Sequence, residues 1–284
     1  ADPSPAGPEL NHFNGNGITA VIEGLGGDDT IFGTSEDSGG FDEVLYGDGG
    51  HDTISGRTGI ECSANGPDGP ETIYGGDGYN TLYGCEGDDV IIGGDEGNEI
   101  HGQGGDNVLY GGASANIIYG GDGDDDIFGG DGGNLIYGAG GNDVLYGGAL
   151  VDTIYGGDGD DDIFGGALGD TLRGEAGADR IDGGAGSDTL YGGSEGDTLR
   201  GGSGIDTLKG NRGNDTLCDD GIDSDVFVGG RDNDTLWMAG SAVSWGAGSD
   251  GGQGFDTCGT ASHPNAPADC AVFLVLPPLA CQPW

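Results

Sequence analysis

A nine-residue repeat limits what this chain can fold into more than any other feature of its sequence. From Gly75 to Cys218 the repeat occurs 16 times in succession without an insertion. The first position is always glycine, the eighth is always leucine or isoleucine, and the sixth is aspartate in 11 repeats and asparagine in 5. One large apolar residue per repeat is too little for a core, so the repeats must stack and bury these residues in a continuous row.

Each repeat contains a short β-prone run such as DTLY, in which side chains alternate between the two faces of a strand. The eighth position is therefore expected to face inward, and the seventh and ninth positions to face outward. The glycine-rich remainder predicts tight turns, because glycine adopts backbone conformations that other residues avoid.

The charge of the chain is extreme, with 51 acidic residues against 7 basic ones and a net charge of −44. This balance argues against nucleic acid and anionic membrane surfaces as partners, because their phosphates would be repelled. No run of residues is long and apolar enough for a membrane-spanning helix. Turns rich in oxygen atoms, with one carboxylate each, instead suit a hard cation such as calcium.

The repeat resembles the RTX nonapeptide, GGxGxDxUx, of calcium-binding parallel β-rolls. Looser copies lie outside the regular array, such as GLGGDDTIF at Gly24, GDGGHDTIS at Gly47 and GGRDNDTLW at Gly229. The resemblance implies an all-β fold, a right-handed parallel β-roll (a β-solenoid), that binds several calcium ions. It also implies two repeats per coil, so that residues 18 positions apart stack directly.

Five segments are expected along the chain, with capping segments at both ends because open β-edges invite aggregation. The strand-like runs GITAVIEG and CAVFLVLPP are the expected caps. The segments are an N-terminal cap at 1–23, irregular repeats with insertions at 24–74, the regular roll at 75–218, irregular repeats at 219–258 and a C-terminal cap at 259–284.

Stacking at 18 residues sorts the sixth-position side chains onto two edges of the roll. The first edge runs from Asn80 to Asp206 and the second from Asp89 to Asp215. We expect calcium between successive aspartates of one edge. The expected ligands are Asp125, Asp143, Asp152, Asp161, Asp170, Asp179, Asp188, Asp197, Asp206 and Asp215.

The first edge begins with four asparagines, and their uncharged amides make poorer calcium ligands. Stacked amides can hydrogen-bond to each other along a ladder, so we expect no metal between Asn80 and Asn134. The other interpretation is that asparagine is a tolerated replacement for aspartate as a calcium ligand. Repeats without glycine at the fourth position are also doubtful sites, because a left-handed turn is costly for a branched side chain. These repeats carry Glu96, Ser114, Leu150, Leu168 and Glu195.

Six cysteines without a CxxC pair indicate disulfides in a secreted protein rather than a metal site. Cys62 is close enough in sequence to pair with Cys85, and Cys258 with Cys270, which leaves Cys218 and Cys281. Six cysteines allow 15 pairings, and the sequence does not choose among them.

The outward positions are apolar and aromatic in the first half of the array, and threonine and charged residues predominate in the second. Contiguous exposed aromatic residues favour an interaction site, which here would serve self-association. The other interpretation is that the insertions Thr34–Gly39 and Arg57–Gly69 cover these aromatic residues. The expected interface residues are Tyr110, Tyr119, Phe128, Tyr137, Tyr146, Tyr155 and Phe164.

Nothing in the sequence indicates an enzyme, since the four histidines lie in unrelated settings and no nucleophile-elbow or zinc-protease motif occurs. The expected function is that of a secreted structural or adhesive protein that folds on calcium and self-assembles. The alternative is a module that binds carbohydrate or ice on its outer faces. Tyr155, Arg173, Tyr191 and Lys209 interrupt the rank beside the regular threonines, which disfavours ice.

Overall fold

The computed structural model describes residues 20–24, 26–32, 43–47, 49–50, 53–55, 70–219, 225–238, 256–260 and 270–274. Every regular element within these ranges is a β-strand, as the sequence predicts. The chain divides into two compact units, unit 1 at residues 1–140 and unit 2 at residues 141–284. Each unit contains two parallel sheets.

The strands of unit 1 alternate between its two sheets along the chain, so each coil contributes one strand to each sheet. The first sheet contains β1 (Ala20–Glu23), β3 (Glu43–Tyr46), β5 (Glu71–Tyr74), β7 (Val90–Gly94), β9 (Val108–Gly112) and β11 (Asp126–Gly130). The second contains β2 (Thr30–Phe32), β4 (Thr53–Ser55), β6 (Asn80–Glu86), β8 (Asn98–Gly104), β10 (Ile117–Asp122) and β12 (Leu135–Gly140).

Unit 2 follows the same alternation until its last strands, which join one sheet only. One sheet contains β13 (Val144–Gly148), β15 (Asp162–Ala167), β17 (Arg180–Ala185), β19 (Thr198–Ser203), β21 (Thr216–Asp219), β23 (Thr235–Met238), β24 (Asp256–Thr260) and β25 (Cys270–Leu274). The other contains β14 (Thr153–Asp158), β16 (Thr171–Ala176), β18 (Thr189–Ser194), β20 (Thr207–Arg212) and β22 (Val226–Arg231).

The register of the strands confirms the stacking of residues 18 positions apart. In unit 1, Ile118 lies opposite both Ile100 and Ile136, one coil away on either side. In unit 2, Leu190 lies opposite Leu172 and Leu208 in the same way. All these pairings are parallel, so two repeats form one coil of a parallel β-solenoid. Each unit is therefore a β-roll of the expected kind.

The core of each unit is the row of eighth-position side chains. All of them from Leu82 to Leu217 have no exposed surface, and Phe227 extends the row in unit 2. Apart from the buried Cys218, the residues on either side are half-buried or exposed, as the alternation of a strand predicts. Full burial of one such apolar side chain contributes about 1.5–3 kcal/mol. No helix in the described ranges could cross a membrane.

The terminal runs form strands where the sequence predicts caps. The strand β1 pairs only with β3, and β25 pairs only with β24, among the strands that the structure describes. The segment boundaries expected from the sequence stay a prediction. The insertions Thr34–Gly39 and Arg57–Gly69 lie outside the described residues.

Two cysteines, Cys85 and Cys218, lie in the described interior with at most 1% of their surface exposed. Neither is a free cysteine. The register of β24 and β25 pairs Asp256 with Cys270 and Cys258 with Phe273. Cys62 and Cys281 lie outside the described residues, and the disulfide pairing stays a prediction.

Candidate metal-binding turns

The sixth-position side chains of the regular repeats are buried in the turns that precede the strands. From Asn80 to Asp215 none is more than 4% exposed, although all are polar or acidic. Burying such groups is costly unless they have hydrogen-bond partners or a counter-charge. The buried acidic side chains of these turns therefore need hydrogen bonds or a counter-charge to offset the cost of their burial.

One carboxylate oxygen of each aspartate, Oδ1, has a regular partner in the coil before it. The backbone N–H of Asp170 donates to Oδ1 of Asp188 over 2.7 Å, and that of Asp161 donates to Oδ1 of Asp179 over 2.9 Å. The structure thus brings the expected same-edge pairs together in unit 2. These pairs are Asp152/Asp170, Asp170/Asp188, Asp188/Asp206, Asp143/Asp161, Asp161/Asp179, Asp179/Asp197 and Asp197/Asp215.

The expected pair Asp125/Asp143 has one member in each unit and stays a prediction. Within unit 1, the backbone N–H of Asn107 donates to Oδ1 of Asp125 over 2.8 Å. Asp125 is buried like the aspartates of unit 2, with 1% of its surface exposed.

The other carboxylate oxygen, Oδ2, lacks a hydrogen-bond partner in several buried aspartates of unit 2. A methyl group at Gly183 would lie 2.6 Å from Oδ2 of Asp188 and 2.7 Å from the carbonyl oxygen of Gly201, so both oxygens border one small space. This crowding explains why the first position must be glycine. The aspartates concerned are Asp161, Asp170, Asp179, Asp188, Asp197 and Asp215.

Burial strongly raises the pKa of these aspartate side chains. It raises the pKa of Asp161 and of Asp197 to about 8 and that of Asp170 to about 7. Burial likewise raises the pKa of Asp179 and Asp215 to about 6. The backbone N–H bond to Oδ1 opposes this rise, and neighbouring carboxylates add to it. A cation beside these carboxyl groups would favour their ionised form at neutral pH.

The donor atoms around these turns fit calcium. The sixth-position side chains of these turns offer carboxylate oxygens as ligands. The other candidate ligands are backbone carbonyl oxygens. Together they form the all-oxygen ligand set that calcium prefers. Groups of three or more histidine, cysteine, aspartate or glutamate side chains suited to a metal do not occur among the described residues. A site here would therefore combine two stacked carboxylates with backbone carbonyls.

The expected amide ladder is confirmed on the first edge of unit 1. Nδ2 of Asn98 lies 3.4 Å from Oδ1 of Asn116, and Nδ2 of Asn116 donates to Oδ1 of Asn134 over 3.1 Å. The backbone N–H of Asn80 donates to Oδ1 of Asn98 in the same direction. The absence of metal at this edge stays a prediction.

The turns tolerate substitution at the fourth position better than the sequence suggests. Leu168 and Glu195 adopt left-handed conformations with φ of 69° and 83°, despite their side chains. Glu96, Ser114 and Leu150 are not left-handed, so their turns follow another path. Stacking against the neighbouring coils offsets a local cost of the order of 1–3 kcal/mol for each left-handed residue.

Sequence reasoning missed two aspartates that extend the edges by one coil. The backbone N–H of Asp206 donates to Oδ1 of Asp225 over 2.9 Å, and that of Asp215 to Oδ1 of Asp234 over 3.0 Å. Each pair is 19 residues apart rather than 18, because one residue is inserted in the coil. The available signal was an aspartate directly before the apolar runs VFV and TLW.

Most of the expected interface residues stack face to face in pairs on the outward surfaces of the sheets. Their ring centroids are about one strand spacing apart. Tyr110 and Tyr146 are 40% and 38% exposed, and the other rings are half-buried. The contacts within each unit are Tyr110–Phe128 at 4.9 Å, Tyr119–Tyr137 at 5.1 Å and Tyr146–Phe164 at 4.8 Å.

The ninth-position cations of unit 2, Arg173 and Lys209, lie in one row with the rings of Tyr155 and Tyr191. The guanidinium of Arg173 lies 5.8 Å from the ring centroid of Tyr155 and 4.3 Å from that of Tyr191. Nζ of Lys209 lies 5.0 Å from the Tyr191 ring. Cation–π contacts therefore hold four side chains in one row.

Coils of two repeats, a Leu/Ile core and buried same-edge aspartates define a parallel β-solenoid with oxygen-lined turns. The sequence profile described as the RTX calcium-binding nonapeptide repeat matches ten segments that together cover residues 15–59 and 66–237. The chain therefore belongs to the RTX calcium-binding nonapeptide repeat family, as its motif suggests. A comparison with curated proteins gives no match.

Proposed function

We propose that the chain is a secreted, non-enzymatic scaffold that folds on several calcium ions bound between same-edge aspartates. The observation that carries this proposal is the set of buried Oδ2 atoms that border backbone carbonyl oxygens without a hydrogen-bond donor. A calcium ion between successive coils would neutralise both carboxylates and use the carbonyl oxygens as further ligands. It would also link the coils along each edge.

Calcium uptake is expected to follow the number of same-edge aspartate pairs. Equilibrium dialysis of the full chain should give about one ion per pair, because each pair offers two carboxylates and the carbonyls between them. Magnesium should bind more weakly, since it demands near-octahedral geometry and releases its water reluctantly. An uptake of one ion or none in millimolar calcium contradicts the proposal.

Secretion and disulfide bonding are parts of the same proposal. Calcium is plentiful outside cells, and extracellular RTX modules with weak sites would be filled there. Six cysteines in a chain with one lysine agree with an oxidising compartment, and Cys85 and Cys218 are both buried and not free. Non-reducing mass spectrometry of peptides would establish which cysteines are paired.

We also propose that the aromatic columns mediate self-association, which would make the protein a structural or adhesive one. Tyr119 and Tyr137 stack on one outer face of unit 1, beside Ile117 and Leu135. A parallel roll presents the same surface at every coil, so one self-complementary contact can recur and build a fibre. Large apolar patches on soluble monomers are rare, which supports a covered face.

Replacing both stacked tyrosines with charge is expected to prevent assembly. The variant Tyr119→Asp with Tyr137→Asp should remain monomeric by light scattering in millimolar calcium, where the wild type forms larger species. Two like charges one strand spacing apart repel each other and would also have to be desolvated. Calcium-dependent folding should persist, because both positions face outward.

The matched control is Thr189→Asp with Thr207→Asp, which adds the same charge at outward positions of unit 2. This control should assemble like the wild type. A wild type that is strictly monomeric removes the support for self-association, and equal loss of assembly in both variants would show a charge effect rather than an interface.

Carbohydrate binding is the second candidate, favoured by the row Tyr155, Arg173, Tyr191 and Lys209. Aromatic faces and cations held one strand spacing apart offer stacking to sugar rings and charge to acidic groups. A glycan array separates this candidate from a plain scaffold, because the scaffold should bind none of the arrayed sugars.

A further inference from the structure

We infer that the sixth-position residue decides, turn by turn, whether a coil needs a cation, and that asparagine makes the turns from Asn80 to Asn134 independent of metal. The side-chain amide of asparagine takes the place that the cation takes beside aspartate. The inference deepens the proposed function, since it rests on calcium binding at the aspartate turns.

The amide nitrogens of the first edge of unit 1 bond to the backbone carbonyls around them. Nδ2 of Asn98 donates to the carbonyl oxygen of Glu96 over 2.8 Å and to that of Gly111 over 3.2 Å. Nδ2 of Asn116 donates to the carbonyl oxygen of Gly129 over 3.1 Å. One acceptor is in the same turn and the other is in the next coil, so each amide joins two coils.

The amide nitrogen and the carboxylate Oδ2 occupy equivalent places in their turns. A methyl group at Gly93 would lie 2.5 Å from Nδ2 of Asn98 and 2.5 Å from the first-position carbonyl oxygen of the next coil. The corresponding distances at Gly183 are 2.6 Å to Oδ2 of Asp188 and 2.7 Å to the carbonyl oxygen of Gly201. The same carbonyl thus meets a donor in one turn and an acceptor in the other.

This difference has a direct electrostatic consequence. The two N–H bonds of a side-chain amide can donate to two carbonyl oxygens at once, whereas an ionised carboxylate oxygen beside a carbonyl oxygen needs a positive charge between them. A cation at an asparagine turn would have to displace these amide bonds, and it would gain no carboxylate in return. Asparagine turns are therefore complete without metal.

The regular repeats of the two units differ in the residues at their sixth position. On the second edge of unit 1, Asn107 lies between Asp89 and Asp125, and its Nδ2 donates to the carbonyl oxygen of Gly105 over 3.0 Å. No two successive sixth-position residues between Asn80 and Asn134 on either edge are both aspartate. Every sixth-position residue from Asp143 to Asp215 in unit 2 is aspartate.

Hydrogen exchange of the full chain in metal-free buffer tests the inference without reference to calcium binding. Peptides covering 93–104 should exchange at least tenfold more slowly than peptides covering 165–176, because only the first group keeps its turns satisfied. Equal exchange of the two groups overturns the inference, whether or not the chain binds calcium.

Exchanging the two residue types should transfer the two behaviours. The variant Asp170→Asn with Asp188→Asn should bind at least one calcium ion fewer by equilibrium dialysis, and residues 165–176 should gain protection in metal-free buffer. The variant Asn98→Asp with Asn116→Asp should bind about one more ion and lose protection over residues 93–104 without metal.

Two exposed pairs supply controls of equal charge. Asp158→Asn with Asp160→Asn removes two charges, and Asn142→Asp with Asn214→Asp adds two, all at exposed positions. Neither control should change the ion count or the protection of the two segments. If a variant and its control show the same change in ion count and in protection, net charge explains the effect and the inference is overturned. A wild type that binds no calcium defeats the proposed function alone, because the exchange comparison still decides the role of asparagine.

Discussion

Removing calcium is expected to unfold at least the segment from Val144 to Leu217. Far-UV circular dichroism of the full chain should lose most of its β-sheet signal in excess chelator and regain it when calcium is restored. The reason is that successive sixth-position aspartates on both edges of this segment are buried, and their ionised forms repel each other unless a cation lies between them. Acidic repeats released from metal should behave as a disordered chain.

The expected size of this effect follows from linkage. An ion that binds only the folded state adds about 2.7 kcal/mol when calcium is at 100 times its dissociation constant. A few such ions equal the whole stability of an ordinary domain, about 5–15 kcal/mol. Magnesium at the same concentration serves as the control and should restore little of the signal. An unchanged dichroism spectrum in excess chelator would refute the prediction.

Without calcium, acid should stabilise the fold instead of weakening it. Metal-free protein is expected to be unfolded over the segment from Val144 to Leu217 at pH 8, and its far-UV β-sheet signal should return as the pH falls from 8 to 5. The pKa of Asp161 and of Asp197 is about 8 in the folded chain, against an ordinary value of 3.8. The folded state therefore holds protons that the unfolded state has released, and its stability is lost as the pH rises through the folded pKa values.

Each proton taken up on folding changes the free energy of unfolding by about 1.4 kcal/mol per pH unit. The variant Asp161→Asn with Asp197→Asn should therefore show a shallower dependence of the metal-free β-sheet signal on pH. Asp126→Asn with Asp131→Asn, at exposed positions of unit 1, should keep the dependence of the wild type. A β-sheet signal that does not return when metal-free protein is acidified to pH 5 would contradict the buried, cation-dependent role assigned to these carboxylates.

Much of the fold could be predicted because the repeat is regular over short distances. The eighth-position row from Leu82 to Leu217 follows from one apolar residue per nine and the alternation of a strand. The 18-residue stacking and the same-edge pairs of unit 2 follow from the resemblance to RTX repeats. The ladder from Asn80 to Asn134 follows from the ability of stacked amides to bond to each other.

The rest depended on contacts between residues that lie in different coils. The sequence placed Asp206 and Asp215 at the ends of their edges, but a single inserted residue between Asp215 and Asp225 still leaves Asp225 and Asp234 in register. It gave no indication that Arg173 and Lys209 would contact the rings of Tyr155 and Tyr191 through cation–π contacts. Such details are set by the packing of one coil on the next.

The sequence by itself determined the solenoid, its coil length, its core and the choice of carboxylate or amide in each turn, because these depend on a local period and on residue type. Only the tertiary structure decided how deeply the sixth-position side chains are buried and which carbonyls they meet. The carbonyl oxygen that accepts from Asn98 belongs to Gly111, 13 residues further along the chain. Stacking alone brings those two groups together, and the same stacking leaves Oδ2 of Asp188 beside the carbonyl of Gly201 with no donor between them.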